Sequence, residues 1–247
     1  MKELSIAGFN SVLMHFRGCS GKINDLPRSY HSGETGDALY FINSVKKRFP
    51  DAKLYGVGYS LGGNMLLKLL GETNINSPLD GAVSISAPMQ LDVCADSINS
   101  GFSLIYQKKL MKDLKESLLK KYNKHDMKTL INFDKEDIKN LKTFWDFDGV
   151  YTAPIHGFKS AKDYYARCSS KQFLKHIHTQ TLIIHSSDDP FMNKEIIPTK
   201  EELSPSTTLE LYKHGGHVAF ISGNIFKPKY WLEKRVTNYL KILDNRI

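Results

Sequence analysis

The chain has 247 residues, of which 41% are hydrophobic and 24% are charged, with a formal net charge of +8. This length and composition suit one globular domain with a sizeable core and exclude a fibrous or low-complexity protein. No apolar stretch approaches the roughly 18 residues that a membrane span needs, and no signal peptide is visible at the start.

The first predicted elements lie at the amino terminus. Residues 1–9 are typical of the end of a helix, and residues 11–16 of a strand. A glycine-containing stretch, Arg17 to Gly21, comes next. It lacks the lysine and the helix start of a phosphate-binding loop, so no nucleotide cofactor is predicted there.

A serine between two glycines follows the next predicted strand. Residues 53–58 form an apolar run, Ser60 comes next, and residues 64–71 have the pattern of a helix that ends at a glycine. Gly58 and Gly62 lack a β-carbon, which would let strand and helix pass closely on either side of a sharp turn. The pattern predicts that Ser60 is a nucleophile, and the alternative is an ordinary glycine turn.

A long region without a clear core strand separates the predicted strand at 80–86 from the next one. Helical periodicity occurs at 99–123, and shorter helices are predicted at 163–167 and 173–177. The sequence therefore predicts a single domain over 1–247 with a helical insertion at about 89–178, which we call the cap. A cap lines and gates the site in some enzymes, and in others it only adds stability.

Lysine supplies much of the positive charge in the cap. A solvated helix face is the default interpretation, and attraction to anionic lipid or an acidic substrate is the alternative. Nucleic-acid binding is not favoured because no module with interleaved basic and aromatic residues is present. The lysines concerned are Lys108, Lys109, Lys112, Lys115, Lys120, Lys121, Lys124 and Lys128.

Two further strands, predicted at 181–185 and 207–212, lead into acidic and histidine residues. Strands alternating with helices predict an α/β fold with a mostly parallel sheet, whose chemistry lies at the carboxyl ends of the strands. The order Ser60, Asp189, His217 is that of a nucleophile, an acid and a base. Asp188 is the reserve candidate for the acid, and His214 is more typical of a structural residue.

Metal and disulfide chemistry are not predicted. His176 and His178, like His214 and His217, lack further ligands at zinc-like spacing. The cysteines are few, odd in number and widely spaced, which suits reduced thiols and a cytoplasmic location. They are Cys19, Cys94 and Cys168.

Several blocks of this sequence resemble the YheT-like branch of the α/β-hydrolase superfamily over nearly the whole chain. The matching blocks span residues 16–21, 30–35, 58–64, 86–88, 152–158, 188–192 and 214–218. The resemblance implies the α/β-hydrolase fold and a serine hydrolase that acts on carboxylic esters without a cofactor. It places the catalytic triad on Ser60, Asp189 and His217.

The same resemblance suggests how the site works. The backbone N–H of Leu61 is the implied donor in the oxyanion hole, and small-molecule or lipid esters are the implied substrates. Phe102, Leu104 and Ile105 of the cap indicate an apolar acyl chain. An ester-forming acyltransferase is the alternative, because an alcohol can replace water in the same mechanism. Oligomeric state stays open.

The chain departs from the family at its amino terminus. Family members begin further upstream, with additional strands and a His-Gly loop that supplies the second oxyanion donor. No such loop precedes Ser60. We therefore expect a truncated chain that lacks the strand which, in the family's sheet, lies between the strands at 11–16 and 53–58. A wrongly assigned start codon is the alternative explanation, and a third alternative for the function is a catalytically impaired remnant with half an oxyanion hole.

Overall fold

A computed structural model of the protein describes residues 1–224 and 226–245. Its central sheet consists of parallel strands in the order β1-β2-β3-β4, and every residue of β2 and β3 is buried. Burial on both faces explains the consecutive apolar residues at the centre of β3, Leu182 to Ile184. The strands are β1 (Tyr55–Tyr59), β2 (Gly81–Ile85), β3 (Thr181–Ser186) and β4 (Thr207–Tyr212), and an antiparallel hairpin follows, β5 (Ile221–Asn224) and β6 (Lys227–Tyr230). The four core strands predicted from residue 53 onwards are confirmed.

Helices cover both faces of the sheet and fill the cap. In chain order they are α1 (Lys2–Ile6), α2 (Thr35–Arg48), α3 (Leu61–Thr73), α4 (Leu91–Ser97), α5 (Ser103–Tyr122), α6 (Met127–Ile131), α7 (Phe144–Phe147), α8 (Ala153–Ile155), α9 (Ala161–Cys168) and α10 (Trp231–Leu243). Leu67 of α3 and Ile183 of β3 belong to one buried cluster, and Val236 of α10 and Leu182 of β3 to another. Because side chains alternate along a strand, β3 serves both clusters.

The cap lies between β2 and β3 and has its own apolar core. Met111 and Leu118 of α5 pack with Met127 of α6 and Phe147 of α7. The predicted long helix is confirmed as α5, and the predicted helix at 163–167 as part of α9. The last predicted helix is a 3-10 helix, Lys171–His176. The limits of the cap as a unit, about 89–178, stay a prediction.

The predicted strand at 11–16 is wrong. These residues form no regular structure, and Val12 and Leu13 are exposed. A strand needs a neighbour that satisfies its backbone hydrogen bonds, and within the described residues β1 pairs only with β2. Met14 and Phe16 instead pack on the core beside α3. The expected helix at the start is confirmed as α1.

Lys121 does not belong to the solvated lysine face of the cap. It is 1% exposed, and its ammonium group donates to the backbone oxygens of Asn24 (2.9 Å) and Leu26 and to Asn24 Oδ1 (2.6 Å). Burial lowers the pKa of Lys121 to about 8. The prediction missed this role because the partners lie almost a hundred residues earlier. Lys121 therefore ties the cap to the segment before α2.

Candidate active site

Ser60 occupies a strained turn between β1 and α3. Its φ is 48° and its ψ is −120°, a conformation that costs a non-glycine residue about 1–3 kcal/mol. The backbone N–H of Ser60 donates to the carbonyl oxygen of Ile85 at the end of β2 (2.8 Å). The turn thus points the hydroxyl away from the sheet at its carboxyl edge.

Two glycines make this turn possible. One is Gly58, as predicted from the sequence, and the other is Gly63, which was not predicted. A β-carbon on Gly58 would stand 2.4 Å from the backbone oxygen of Gly62, so strand and helix touch there. A β-carbon on Gly62 itself would meet nothing within 4 Å, and the expectation for this position is wrong. The second close approach is at Gly63, whose β-carbon would lie 2.7 Å from Ser84 Oγ.

The structure brings Ser60, His217 and Asp189 together. His217 Nε2 lies 2.9 Å from Ser60 Oγ, and His217 Nδ1 lies 2.8 Å from Asp189 Oδ2. Asp189 is 4% exposed, and its other oxygen accepts from the backbone N–H of Phe191 (3.0 Å). The serine ends β1, the aspartate follows β3 and the histidine follows β4. Three strands thus deliver the three side chains to one edge of the sheet.

These contacts fix the direction of the hydrogen bonds. A carboxylate only accepts hydrogen bonds, so Nδ1 of His217 carries the proton that faces Asp189. The neutral ring then has its lone pair on Nε2, which accepts from the Ser60 hydroxyl. The arrangement can remove a proton from Ser60 and stabilise the imidazolium that results.

Asp188, the reserve acid, does not contact His217. Its Oδ1 accepts from the backbone N–H groups of Gly215 (2.9 Å) and Gly216 (2.8 Å), and its Oδ2 lies 3.3 Å from His214 Nδ1. The Gly216 N–H is the main reason why the pKa of Asp188 is below its usual value. His214 is exposed and lies away from Ser60. The two adjacent carboxylates therefore face different groups.

Sequence reasoning missed several neighbours of His217. The Phe191 ring packs on the imidazole at 4.5 Å between centroids. His185, at the end of β3, is 2% exposed, and burial lowers its pKa, so it stays neutral beside the acid and the base. Ser86 and Ser186 bond to the backbone on either side of His217. No local pattern marks these residues; only the pairing of the strands brings them near.

Comparison with known proteins agrees with the geometry. The family profile described as alpha/beta hydrolase fold matches residues 1–224. The chain belongs to the α/β-hydrolase fold family. It is also 43% identical over 233 residues to the Escherichia coli protein named "Putative esterase YheT", a match that covers 94% of this chain and 68% of that protein. The predicted resemblance to the YheT-like branch is confirmed.

Other similar proteins extend this family placement. The monoacylglycerol lipase of Saccharomyces cerevisiae is 29% identical over 245 residues, covering 97% of this chain and 54% of the yeast protein. A solved esterase structure from Pyrococcus furiosus aligns with a TM-score of 0.59 at 17% identity, over 98% of this chain and 73% of that one. The similarity to the Pyrococcus furiosus structure shows a shared fold. The chain thus spans between about half and two thirds of the curated relatives it matches.

Leu61 begins α3 in this α/β-hydrolase chain, directly after Ser60. The first N–H groups of a helix have no acceptor within the helix, so the Leu61 N–H is free to face an anion at this terminus. Leu61 also packs against the cluster of Tyr164, Tyr165 and Cys168 in α9. The cap therefore touches the residue that follows the serine.

Two other kinds of feature, a metal site and a membrane-spanning helix, have no candidates among the described residues. In residues 1–224 and 226–245, no three His, Cys, Asp or Glu side chains are grouped so that they could hold a metal ion. Within the same ranges, no helix combines the length and the apolar character needed to cross a bilayer. The three cysteines are free thiols, and the cytoplasmic location stays a prediction.

Proposed function

We propose that this α/β-hydrolase chain is a serine esterase, which cleaves carboxylic esters through an acyl-enzyme on Ser60. The observation that carries the proposal is the position of His217, whose two ring nitrogens face Ser60 Oγ at 2.9 Å and Asp189 Oδ2 at 2.8 Å. A serine hydroxyl becomes a useful nucleophile only when a base in this position takes its proton. Names of esterases and lipases among the relatives support the same class.

The first half of the reaction forms the acyl-enzyme. His217 Nε2 takes the proton of Ser60 as Oγ attacks the ester carbonyl carbon, and Asp189 stabilises the imidazolium. The negative oxygen of the tetrahedral intermediate faces the Leu61 N–H, which is the one donor proposed for the oxyanion hole. The intermediate then collapses, the bond to the alcohol oxygen breaks, and His217 returns its proton to the departing alcohol.

The second half releases the acid. Water gives a proton to His217 Nε2 and attacks the acyl carbonyl, and the bond to Ser60 Oγ breaks as that oxygen regains the proton. The products are one alcohol and one carboxylic acid, and the serine is restored. An added alcohol in place of water would form a new ester by the same steps, which is the acyltransferase alternative.

A fluorophosphonate probe tests the nucleophile directly, because it reacts covalently with activated serines. The wild-type chain should be labelled, and Ser60→Ala should not. Ser187→Ala, a serine on the exposed loop before Asp188, is the matched control and should be labelled as the wild type is. A folded wild-type sample that takes no label would contradict the esterase proposal and favour the catalytically impaired remnant.

The proposed substrates are esters with an apolar acyl chain, including lipid-like monoacyl esters. The yeast monoacylglycerol lipase among the relatives supports this class. Phe102 and Ile105, expected near the acyl chain, are exposed on α5, while Tyr106 of the same helix contacts the Phe191 ring that packs on His217. Hydrolysis of p-nitrophenyl acetate, butyrate, octanoate and dodecanoate would measure the preferred chain length. Product analysis with added glycerol would detect acyl transfer as new ester.

We further propose weak association of α5 with anionic lipid surfaces. Apolar residues, Phe102 (69% exposed) and Ile105 (61% exposed), lie beside exposed lysines of the same helix, a combination that suits the edge of a charged bilayer. Each lysine near such a surface contributes about 1 kcal/mol, so replacing four by glutamine should weaken binding by about 4 kcal/mol, or about 1,000-fold. The set is Lys108, Lys109, Lys112 and Lys120.

Sedimentation with phosphatidylglycerol vesicles would measure this binding. A control variant replaces four exposed lysines outside the cap and should bind as the wild type does: Lys2, Lys47, Lys53 and Lys234. Equal loss in both variants would show that net charge alone matters. No binding by the wild type would remove the proposal.

A further inference from the structure

The loop that carries His217 is held by side chains that lie at the ends of two other strands, β2 and β3, or just after them. Residues 214–218 follow β4, and the backbone N–H groups of Gly215 and Gly216 donate to one oxygen of Asp188, at 2.9 and 2.8 Å. Ser186, the last residue of β3, donates its hydroxyl proton to the Gly216 carbonyl (2.7 Å). Each contact is on the amino-terminal side of His217.

A fourth contact holds the carboxyl-terminal side. Val218 N–H donates to Ser86 Oγ at 3.2 Å, and Ser86 follows β2 directly. The backbone groups of residues 215, 216 and 218 are thus bonded to side chains that follow or end β2 and β3. His217 lies between them, with its side chain free to reach Ser60 and Asp189.

The loop does not adopt this shape by its own preference. Val218 has a φ of 56°, a value that a β-branched residue almost never takes, and Phe220 has a φ of 42°. Ser86 itself has a φ of 48°. Such backbone angles persist where the surroundings impose them, and they concentrate at functional sites. The surroundings of this loop include the bonds to Asp188 and Ser86 and a backbone bond from Phe220 N–H to the Gly215 carbonyl (2.9 Å).

We propose that Asp188 and Ser86 are positioning residues for His217, which keep its Nε2 within hydrogen-bond distance of Ser60 Oγ by holding the backbone on both sides. The proposal rests on the proposed serine esterase function. It gives the two adjacent carboxylates separate tasks: Asp189 orients the imidazole ring, and Asp188 holds the backbone that carries the ring.

The contacts of Asp188 favour this role over that of the acid. Its Oδ1 already accepts two N–H bonds, and its Oδ2 faces His214. Nδ1 of His217 is taken by Asp189. A carboxylate that accepts from consecutive backbone N–H groups fixes their relative orientation, so removing it releases two bonds of the loop at once.

Ester turnover in four variants tests the proposal. Asp188→Ala should lower kcat by about 10- to 100-fold with little change in KM, because a shift of about 1 Å in a reacting group has an effect of this size. Asp188→Asn keeps an oxygen that can accept both N–H bonds and should restore most of the loss. Ser86→Ala removes one neutral hydrogen bond and should lower kcat by about 3- to 10-fold. Ser187→Ala, the matched control between Ser186 and Asp188, should match the wild type.

The pH profile separates a positioning residue from the acid. In Asp188→Ala the acidic limb of kcat/KM should keep its wild-type midpoint, because Asp189 still contacts Nδ1. A loss of about 10,000-fold in Asp188→Asn, the size expected when the acid is replaced by its amide, would show that Asp188 is the acid and overturn the proposal. The proposal would also be overturned if Asp188→Ala and Ser86→Ala had the same kcat as Ser187→Ala.

Hydrogen exchange separates failure of this proposal from failure of the esterase function. If the wild type neither takes the fluorophosphonate label nor turns over esters, the function has failed, and the loop is then judged by its amides alone. Faster exchange of Gly216 in Asp188→Ala and of Val218 in Ser86→Ala, at unchanged exchange in α3, supports the tethers, and Asp188→Asn should exchange at Gly216 much as the wild type does. Unchanged exchange at these amides overturns the proposal that Asp188 and Ser86 hold the loop. If Asp188→Ala does not fold, the result for Ser86→Ala still decides the test.

Discussion

Ser60 and His217 face each other at 2.9 Å, yet their backbones are fixed by different kinds of contact. The serine turn is held by steric closeness at Gly58 and by a backbone hydrogen bond to Ile85. The histidine loop has one backbone hydrogen bond, from Phe220 N–H to the Gly215 carbonyl (2.9 Å), and is otherwise held by side chains, chiefly Asp188 and Ser86, that follow other strands.

The difference lies in how each arrangement tolerates change. A turn built from close backbone contact depends on the absence of a β-carbon, and almost any substitution there moves the strand against the helix. A loop held by side-chain hydrogen bonds loses one bond at a time, and the remaining bonds still act. We therefore expect substitutions at the serine turn to affect stability most, and those at side-chain anchors to have graded effects.

The largest effect should follow Gly58→Ala. Its β-carbon would stand 2.4 Å from the Gly62 oxygen, a backbone atom that cannot rotate away, so we expect a loss of at least about 3 kcal/mol in the free energy of unfolding. Gly62→Ala is the matched control, because it meets nothing within 4 Å and should be neutral or stabilise α3 by up to about 1 kcal/mol. Urea unfolding monitored by circular dichroism measures both, and equal losses would contradict the steric account.

An intermediate effect is expected at Lys121, a side-chain anchor outside the site. Lys121→Met keeps the apolar stem but leaves the oxygens of Asn24 and Leu26 without their donor, which should cost about 1–3 kcal/mol. Lys120→Met, at the exposed neighbouring position, should change stability by less than about 0.5 kcal/mol. The same urea titrations compare the two, and similar values would mean that Lys121 does not anchor the segment.

The smallest effect concerns the carboxyl group of Asp148. Burial raises the pKa of Asp148 to about 6, although Thr152 and Tyr165 donate hydrogen bonds to it. The folded chain therefore binds the proton more tightly than the unfolded chain, and this contribution to stability is lost as pH rises through 6. When the pH falls from 7 to 5, the free energy of unfolding of the wild type should rise by about 1 kcal/mol relative to that of Asp148→Asn.

Urea unfolding of the wild type and of Asp148→Asn at pH 7 and pH 5 tests the direction of this change in stability. A wild type that loses stability relative to Asp148→Asn on acidification would contradict it. Asp188 makes the opposite case within the same molecule, since hydrogen bonds from backbone N–H groups lower the pKa of its carboxyl group.

Local patterns predicted most of the sheet and the order of the three site residues. The apolar runs before Ser60, Asp189 and His217 were readable because apolar side chains of each strand pack into the clusters on the two faces of the sheet. The strand at 11–16 was predicted wrongly because strand formation depends on a partner, which a local pattern does not reveal. The expectation that Gly62 lets strand and helix pass closely failed for a related reason: the close approach occurs one residue later, at Gly63, and depends on how α3 is rotated against β2.

The supporting contacts could not be read from the sequence. Ser86 and Val218 are 132 residues apart, and Lys121 and Asn24 are 97 apart. A serine or a lysine at such a position has the same local pattern as a solvated one, because hydrogen bonds of this kind depend on the three-dimensional path of the chain. The blocks that resemble the family contain Ser86 and Asp188, but the resemblance gave roles only to Ser60, Leu61, Asp189 and His217 and did not show which backbone groups Ser86 and Asp188 bind.

The end of β2 bears on both reacting groups at once. The Ile85 carbonyl accepts from the backbone of Ser60, and the next residue, Ser86, accepts from the backbone beside His217. A thermal displacement of this strand end therefore carries nucleophile and base in the same direction. We therefore expect the distance between Ser60 Oγ and His217 Nε2 to vary less than the position of either residue.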